Sequence, residues 1–285
     1  MSQPYPLEKT LLLDGLAFPE SPRWHDGRLW FSDMYTHEVA TVTLEGKTEL
    51  IAKVPQQPSG LGWLPDGRLL IVSMLDRRLL RLDPDGLTRV AELTALAPWH
   101  CNDMVVDRNG RAYIGNFGFD FMEKEKVKAT VIVMVTPEGE TRVVANDLLF
   151  PNGSVITPDG RTFIVGETFA NRLTAFSVAA DGSLSGRRVW AQLQGAAPDG
   201  ICLDAEGAIW MASPISREIL RVREGGAVTH RIGVATQGLA CMLGGLDGRT
   251  LFILSAPLTR PEKGRALKLG RIETVQVDVP AAGLP

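Results

Sequence analysis

The stretch HDGRLWFSD, His25–Asp33, sets a turn dipeptide between two short β-prone runs, and the same arrangement returns five more times along the chain. It reappears as PDGRLLIVS around Gly67, RNGRAYIGN around Gly110, PDGRTFIVG around Gly160, AEGAIWMAS around Gly207 and LDGRTLFIL around Gly248. Successive turn glycines are 40, 43, 50, 47 and 41 residues apart. Asp-Gly and its relatives between apolar runs signal a tight hairpin whose glycine takes positive φ. Each of the six units therefore contains a hairpin. A second turn follows within the first five units, at Gly46, Gly86, Gly139, Gly182 and Gly225. Between the two turns lie β-rich segments such as HEVATVTL and TVIVMVT, and after the second come TELIAKV and TRVVAND. Four strands at this period make a propeller blade.

The prediction is an all-β chain, a six-bladed propeller with four-stranded antiparallel blades around a central channel, one domain over residues 1–285. The longest interval holds Phe121–Lys128 (FMEKEKVK), expected to be a solvated loop within blade three. Residues near Leu11–Asp14 and Thr274–Val279 are expected to pair and close the ring, since a free edge invites aggregation.

Composition narrows the function classes. Hydrophobic residues make up 45% and charged residues 22%, with 30 Lys+Arg against 33 Asp+Glu for a net charge of −3. This excludes a disordered chain and a nucleic-acid partner held by bulk positive charge. Met1–Thr10 lacks the basic-then-apolar pattern of a secretory signal, and apolar runs such as Val131–Val135 are far too short to cross a bilayer. A cytoplasmic protein with no membrane partner is the expectation. Cys101, Cys202 and Cys241 are too scattered for a disulfide framework or a zinc cage and are read as core or site-wall residues. Nothing in the sequence sets an oligomeric state.

In a propeller the innermost strands line the channel, so residues at their starts converge from all blades. Seven or eight positions before the aligned glycines stand Glu20, Ser59, Asn102, Asn152 and Asp199, with Gln237 near the equivalent place in blade six. Two carboxylates and two carboxamides at one register make an oxygen-rich ring. Burying such a ring without a partner is expensive, and one divalent cation removes both the repulsion and the desolvation cost. Oxygen donors suit calcium, magnesium or manganese, and zinc also accepts carboxylate. The alternative is that Asn152 and Asp199 only cap turns in Pro-Asn-Gly and Pro-Asp-Gly.

At these residues the chain resembles the regucalcin/gluconolactonase family, also called the senescence marker protein family, of six-bladed propellers. The matching motifs are ESPRW (Glu20–Trp24) with WFSD (Trp30–Asp33), PSGLGW (Pro58–Trp63), CND (Cys101–Asp103), PNG (Pro151–Gly153) and PDG before ICLD (Pro198–Asp204). The resemblance implies that Glu20, Asn152 and Asp199 hold one divalent metal. It further implies that Asn102 contacts substrate or completes the metal site, and that the activity is opening of a small lactone. Metal chemistry would polarise the lactone carbonyl and acidify water. Asp199 is the candidate general base. Two departures stand out: His100 occupies the place where sugar lactonases of the family often carry Arg, and Met104 one where Gly is frequent. With Trp99, Phe117 and Phe119 in neighbouring loops, these residues predict a substrate-binding mouth that is more apolar than a sugar needs, contacted by His100, Met104, Phe117 and Phe119.

Other signals fail. GSLSG at 182–186 puts Leu184 where a nucleophile elbow needs Ser. Gly46-Lys47-Thr48 lacks the first glycine of a phosphate loop. The four histidines have no zinc-site spacing. Asp33, Asn116 and Glu167, at the ends of second runs, are read as structural hydrogen-bonding residues. Three functions remain: a metal-dependent lactonase, a metal-dependent organophosphate or phosphoester hydrolase on a related propeller, and a binding propeller without chemistry.

Overall fold

The computed structural model describes residues 7–284. Six four-stranded antiparallel sheets follow one another around a central axis as a six-bladed β-propeller. The innermost strands are Pro19–His25, Pro58–Trp63, Cys101–Val106, Pro151–Ile156, Ile201–Leu203 and Gln237–Gly244. All six hairpin glycines found in the sequence take φ between +71° and +86°, a region costly for any residue with a Cβ. The second-turn glycines are also at positive φ.

Blade six is completed by the chain's other end. Thr10–Leu16 pairs antiparallel with Gly270–Gln276, in register Thr10 with Thr274 and Leu11 with Glu273. The expected closure is present, with its last strand beginning ahead of Thr274. The FMEKEKVK segment is an exposed connection between Ala112–Asn116 and Thr130–Val135, as expected. On the face of the hairpin glycines, residues 280–284 run under three blades, with backbone bonds to Gly248, Leu203, Ala205 and Ile156.

Two features aim the site. The inner strands of blades one, two, three, four and six each carry a register shift just after their first residues, for example between Glu20 and Arg23 and between Pro151 and Ser154. Such bulges re-aim a side chain that a regular strand would point elsewhere. The second feature is close approach at the axis. A Cβ on Gly153 would lie 2.5 Å from Ile201 N, and one on Gly200 would lie 2.4 Å from Ala240 Cβ. The glycines of PNG and PDG thus admit neighbouring backbones. Asn152 lies within its strand and Asp199 stands two residues before Ile201–Leu203, and neither Gly153 nor Gly200 takes positive φ.

The second-strand residues fasten the chain as it re-enters each blade. Asp33 accepts from the amides of Ala17 (2.9 Å) and Phe18 (2.7 Å). Glu167 accepts from Leu149 N (2.9 Å) and pairs with Arg172 and Arg187. Asn116 accepts from Thr130 Oγ1 and donates to Val131 O. All three cysteines are buried and free. Among the described residues no helix is long and apolar enough to cross a membrane.

Candidate metal and active site

Glu20, Asn102 and Asn152 are 7%, 6% and 7% exposed at the axial end of their strands, with Asp199 only partly covered beside them. Burial pushes the Glu20 carboxyl well above its ordinary range, and the neighbouring charges of Asp199 and Asp103 push further. Burial likewise raises Asp199, to about 8, with Asp103 adding to the rise while the Asn152 amide pulls it back. Asp199 thus crowds Glu20, and the nearby Arg23 relieves Glu20 only in part.

Asn152 is oriented by a single hydroxyl. Thr168 Oγ1 donates its one proton to Pro198 O (2.8 Å), so it can only accept from Asn152 Nδ2 (3.2 Å). That fixes the amide and leaves Asn152 Oδ1 as the free donor oxygen. The same hydroxyl anchors the Pro198 carbonyl next to Asp199. In blade three, Asn102 Oδ1 lies 3.4 Å from Ser59 Oγ, which leaves its Nδ2 free to donate.

Below the ring is an ion pair. Arg23 is 3% exposed, donates to Asp103 Oδ1 at 2.6 Å and also to the carbonyls of Leu61, Pro22 and Met104. Asp103 additionally accepts from Met104 N. The pair gives Asp103 a direct cationic partner, which neither Glu20 nor Asp199 has in a salt bridge among the described residues. Sequence reasoning missed Arg23, Asp103 and Thr168 as site residues. Arg23 and Asp103 stand inside the motifs ESPRW and CND, where a charge one or three places beyond the ring position was the available signal. Thr168 had none, because its role depends on a carbonyl thirty residues away.

The donor set suits a hard divalent ion: two carboxylates and one amide oxygen. Among the described residues no three His, Cys, Asp or Glu side chains are disposed around one point.

Residues 18–257 match the family described as SMP-30/Gluconolactonase/LRE-like region. The chain belongs to this family. Within the SMP-30/gluconolactonase family it is 27% identical over 252 residues to regucalcin of Danio rerio, aligning 83% of this chain with 82% of that one. It is 25% identical over 250 residues to pentonolactonase XacC of Haloferax volcanii, with 83% and 81% covered. Its fold superposes on the crystal structure of a calcium-binding protein, regucalcin, from Agrobacterium tumefaciens, with a TM-score of 0.82, 25% identity, and 100% and 99% of the two chains covered.

The remaining predicted contacts divide. His100 is half-buried and stacked on Trp99 at 4.8 Å, and burial lowers its pKa, which keeps the ring neutral where sugar lactonases of the SMP-30/gluconolactonase family often carry a fixed cation. Phe117 is half-buried and stacks on Phe150, whereas Phe119 is buried behind it, edge-on to Phe150. Met104 does not join them. It is fully buried, with its side chain against Gly60 and Gly62 between blades two and three, because the bulge that turns Asn102 toward the axis sends Met104 back into the core.

Two predictions arise here. Thr168→Val is expected to weaken divalent-cation binding by roughly tenfold to a hundredfold, as loss of an orienting partner does, while Thr168→Ser retains it. Calorimetric titration with calcium distinguishes the two, and equal affinities would remove Thr168 from the site. The second concerns pH. In chelator-treated protein the folded pKa values of Glu20 and Asp199 lie above the unfolded values of ~4. The folded state then binds more protons, and stability falls as pH rises from ~4 toward the raised values. The melting midpoint should drop between pH 5 and pH 8, and added cation should restore more at pH 8. A pH-independent restoration would place the ion elsewhere.

Proposed function

We propose that this chain, acting as one propeller unit over residues 1–285, is a metal-dependent lactonase, a carboxylic ester hydrolase that opens a small lactone. The observation that carries the reading is the placing of two carboxyls, Glu20 and Asp199, close enough that the charge of Asp199 raises Glu20, beside the amide oxygen of Asn152 held by Thr168. The lactonase named among its relatives supports the same class of reaction. Glu20, Asn152 and Asp199 would hold the cation, which when bound polarises a carbonyl and lowers the pKa of water. Asn102 Nδ2 donates to the lactone carbonyl oxygen and holds the ester in line for attack. Asp199 takes the proton from the attacking water and returns it to the ring oxygen as the C–O bond breaks. Arg23 keeps Asp103 paired, so Asp103 does not compete for that proton.

The test loads chelated protein with calcium, magnesium, manganese or zinc and follows acid release from a panel of lactones, with phosphotriesters alongside. Metal-dependent lactone opening with about one ion bound per chain is expected. Turnover of phosphotriesters alone would favour the organophosphate hydrolase. Absence of both, with no stoichiometric metal, would leave a binding propeller.

A further inference from the structure

The channel mouth is walled by apolar side chains. Phe18 and Tyr35 stack at 4.5 Å in a buried cluster with Met34, Met74 and Leu239, and Phe117 packs against it. Phe117 lies flat on Phe150 at 4.4 Å, and Phe150 meets Phe119, Phe121 and Phe169 at 6.0, 5.9 and 5.2 Å. Phe150 directly precedes Pro151–Asn152, and Phe169 directly follows Thr168, so this aromatic wall stands beside the candidate cation ligands. Phe121 and Phe169 remain 40% and 38% exposed, which leaves apolar ring surface free for a ligand.

Above the wall is a roof. The connection at 257–269, with its short helix Pro261–Leu267, leaves blade six and reaches the 117–129 connection of blade three, where Arg260 and Glu123 pair at 3.1 Å. Those blades are opposite each other in the ring, so the contact passes over the channel. The pair is exposed at both ends and weak, while the base of the connection is held to Tyr35 and Gln237.

Several polar groups around the mouth, away from the candidate cation ligands, already have protein partners. The Tyr35 hydroxyl donates to Thr259 O (2.9 Å), Thr168 Oγ1 donates to Pro198 O, and Gln237 Oε1 accepts from Leu258 N (3.2 Å). Trp99 covers one face of the His100 ring, and the ring carries no fixed charge with which to grip hydroxyls. A polyhydroxylated ring entering here would give up water at several hydroxyls with few partners in exchange. A hydrocarbon would gain throughout.

We infer that the lactone taken by this site carries an apolar substituent, an alkyl chain or aryl ring, seated on Phe117, Phe121 and Phe169 beneath the 257–269 connection. The inference rests on the lactonase reading above and names its substrate class. Burial of each added methylene is worth about fourfold in kcat/KM.

The experiment measures kcat/KM of calcium-loaded protein for γ-butyrolactone, γ-valerolactone, γ-hexalactone and γ-octalactone, with glucono-1,5-lactone and a δ-alkyl lactone as the polar and apolar six-membered pair. Expected are a rise of about fourfold per methylene, a preference of about a hundredfold or more for the δ-alkyl lactone, and a slope below about twofold per methylene in Phe169→Ala. A flat series, or preference for gluconolactone, overturns the inference and leaves the lactonase reading standing. If no lactone is opened, the lactonase reading fails and binding decides the substrate class. Tryptophan fluorescence or ligand-observed NMR compares 4-hydroxyoctanoate with gluconate, and gluconate binding as tightly as 4-hydroxyoctanoate is then the overturning result.

Discussion

Asp199→Ala is expected to lower lactone turnover by about 10³- to 10⁴-fold, the range lost with a positioned acid–base group, and to leave the propeller folded. Both halves follow from the same environment. Asp199 is a carboxyl raised by burial and by Asp103, so its removal relieves charge crowding at the axis. The metal-free variant should therefore melt no lower than the metal-free parent, by circular dichroism. Asp199→Asn separates the two duties of the side chain. It keeps an oxygen donor, so it should retain weakened cation binding by titration, yet it cannot accept the proton and should be as inactive as the alanine variant. Parental turnover in Asp199→Asn would assign the base elsewhere, with Asp103 the next carboxylate along the axis.

Arg23→Met should be the most destabilising single change near the channel, at about 3–5 kcal/mol, the cost of breaking a buried ion pair from one side. Its guanidinium neutralises Asp103 and also satisfies carbonyls in three neighbouring segments, all well inside the molecule. Without it, Asp103 joins Glu20 and Asp199 as a third carboxyl crowded at the axis. The double variant Arg23→Met/Asp103→Leu removes both charges and should recover most of the loss, since replacing a whole buried pair is far cheaper than orphaning one member. Urea denaturation of the four proteins gives the coupling directly. Additive losses would mean that the pair contributes through packing alone.

The legible part of this protein was the part that repeats. Six Asp-Gly-type turns at a near-constant interval announced six hairpins, because positive φ and strand alternation are local properties that leave a local mark. From that register, Glu20, Asn152 and Asp199 fall on one axis, and the fold brings Glu20 within electrostatic reach of Asp199 and sets Asn152 against it. Met104 went astray for a reason with the same physics behind it. Counting along a regular strand assumes a period of two, and the bulge after Cys101 breaks that period where the channel begins.

What the chain's letters determined alone were the turns, the blade count, the closure by the strand near Leu11–Asp14 and the register of oxygen-bearing side chains. Only the tertiary structure decided that Arg23 reaches Asp103, eighty residues away, that one proton on Thr168 sets the face of Asn152, and that blades three and six meet above the channel. The division has a simple cause. Backbone conformation is dictated by neighbours in sequence, whereas compensation of a buried charge or direction of a hydrogen bond depends on whichever distant group the closed ring brings within about 3 Å.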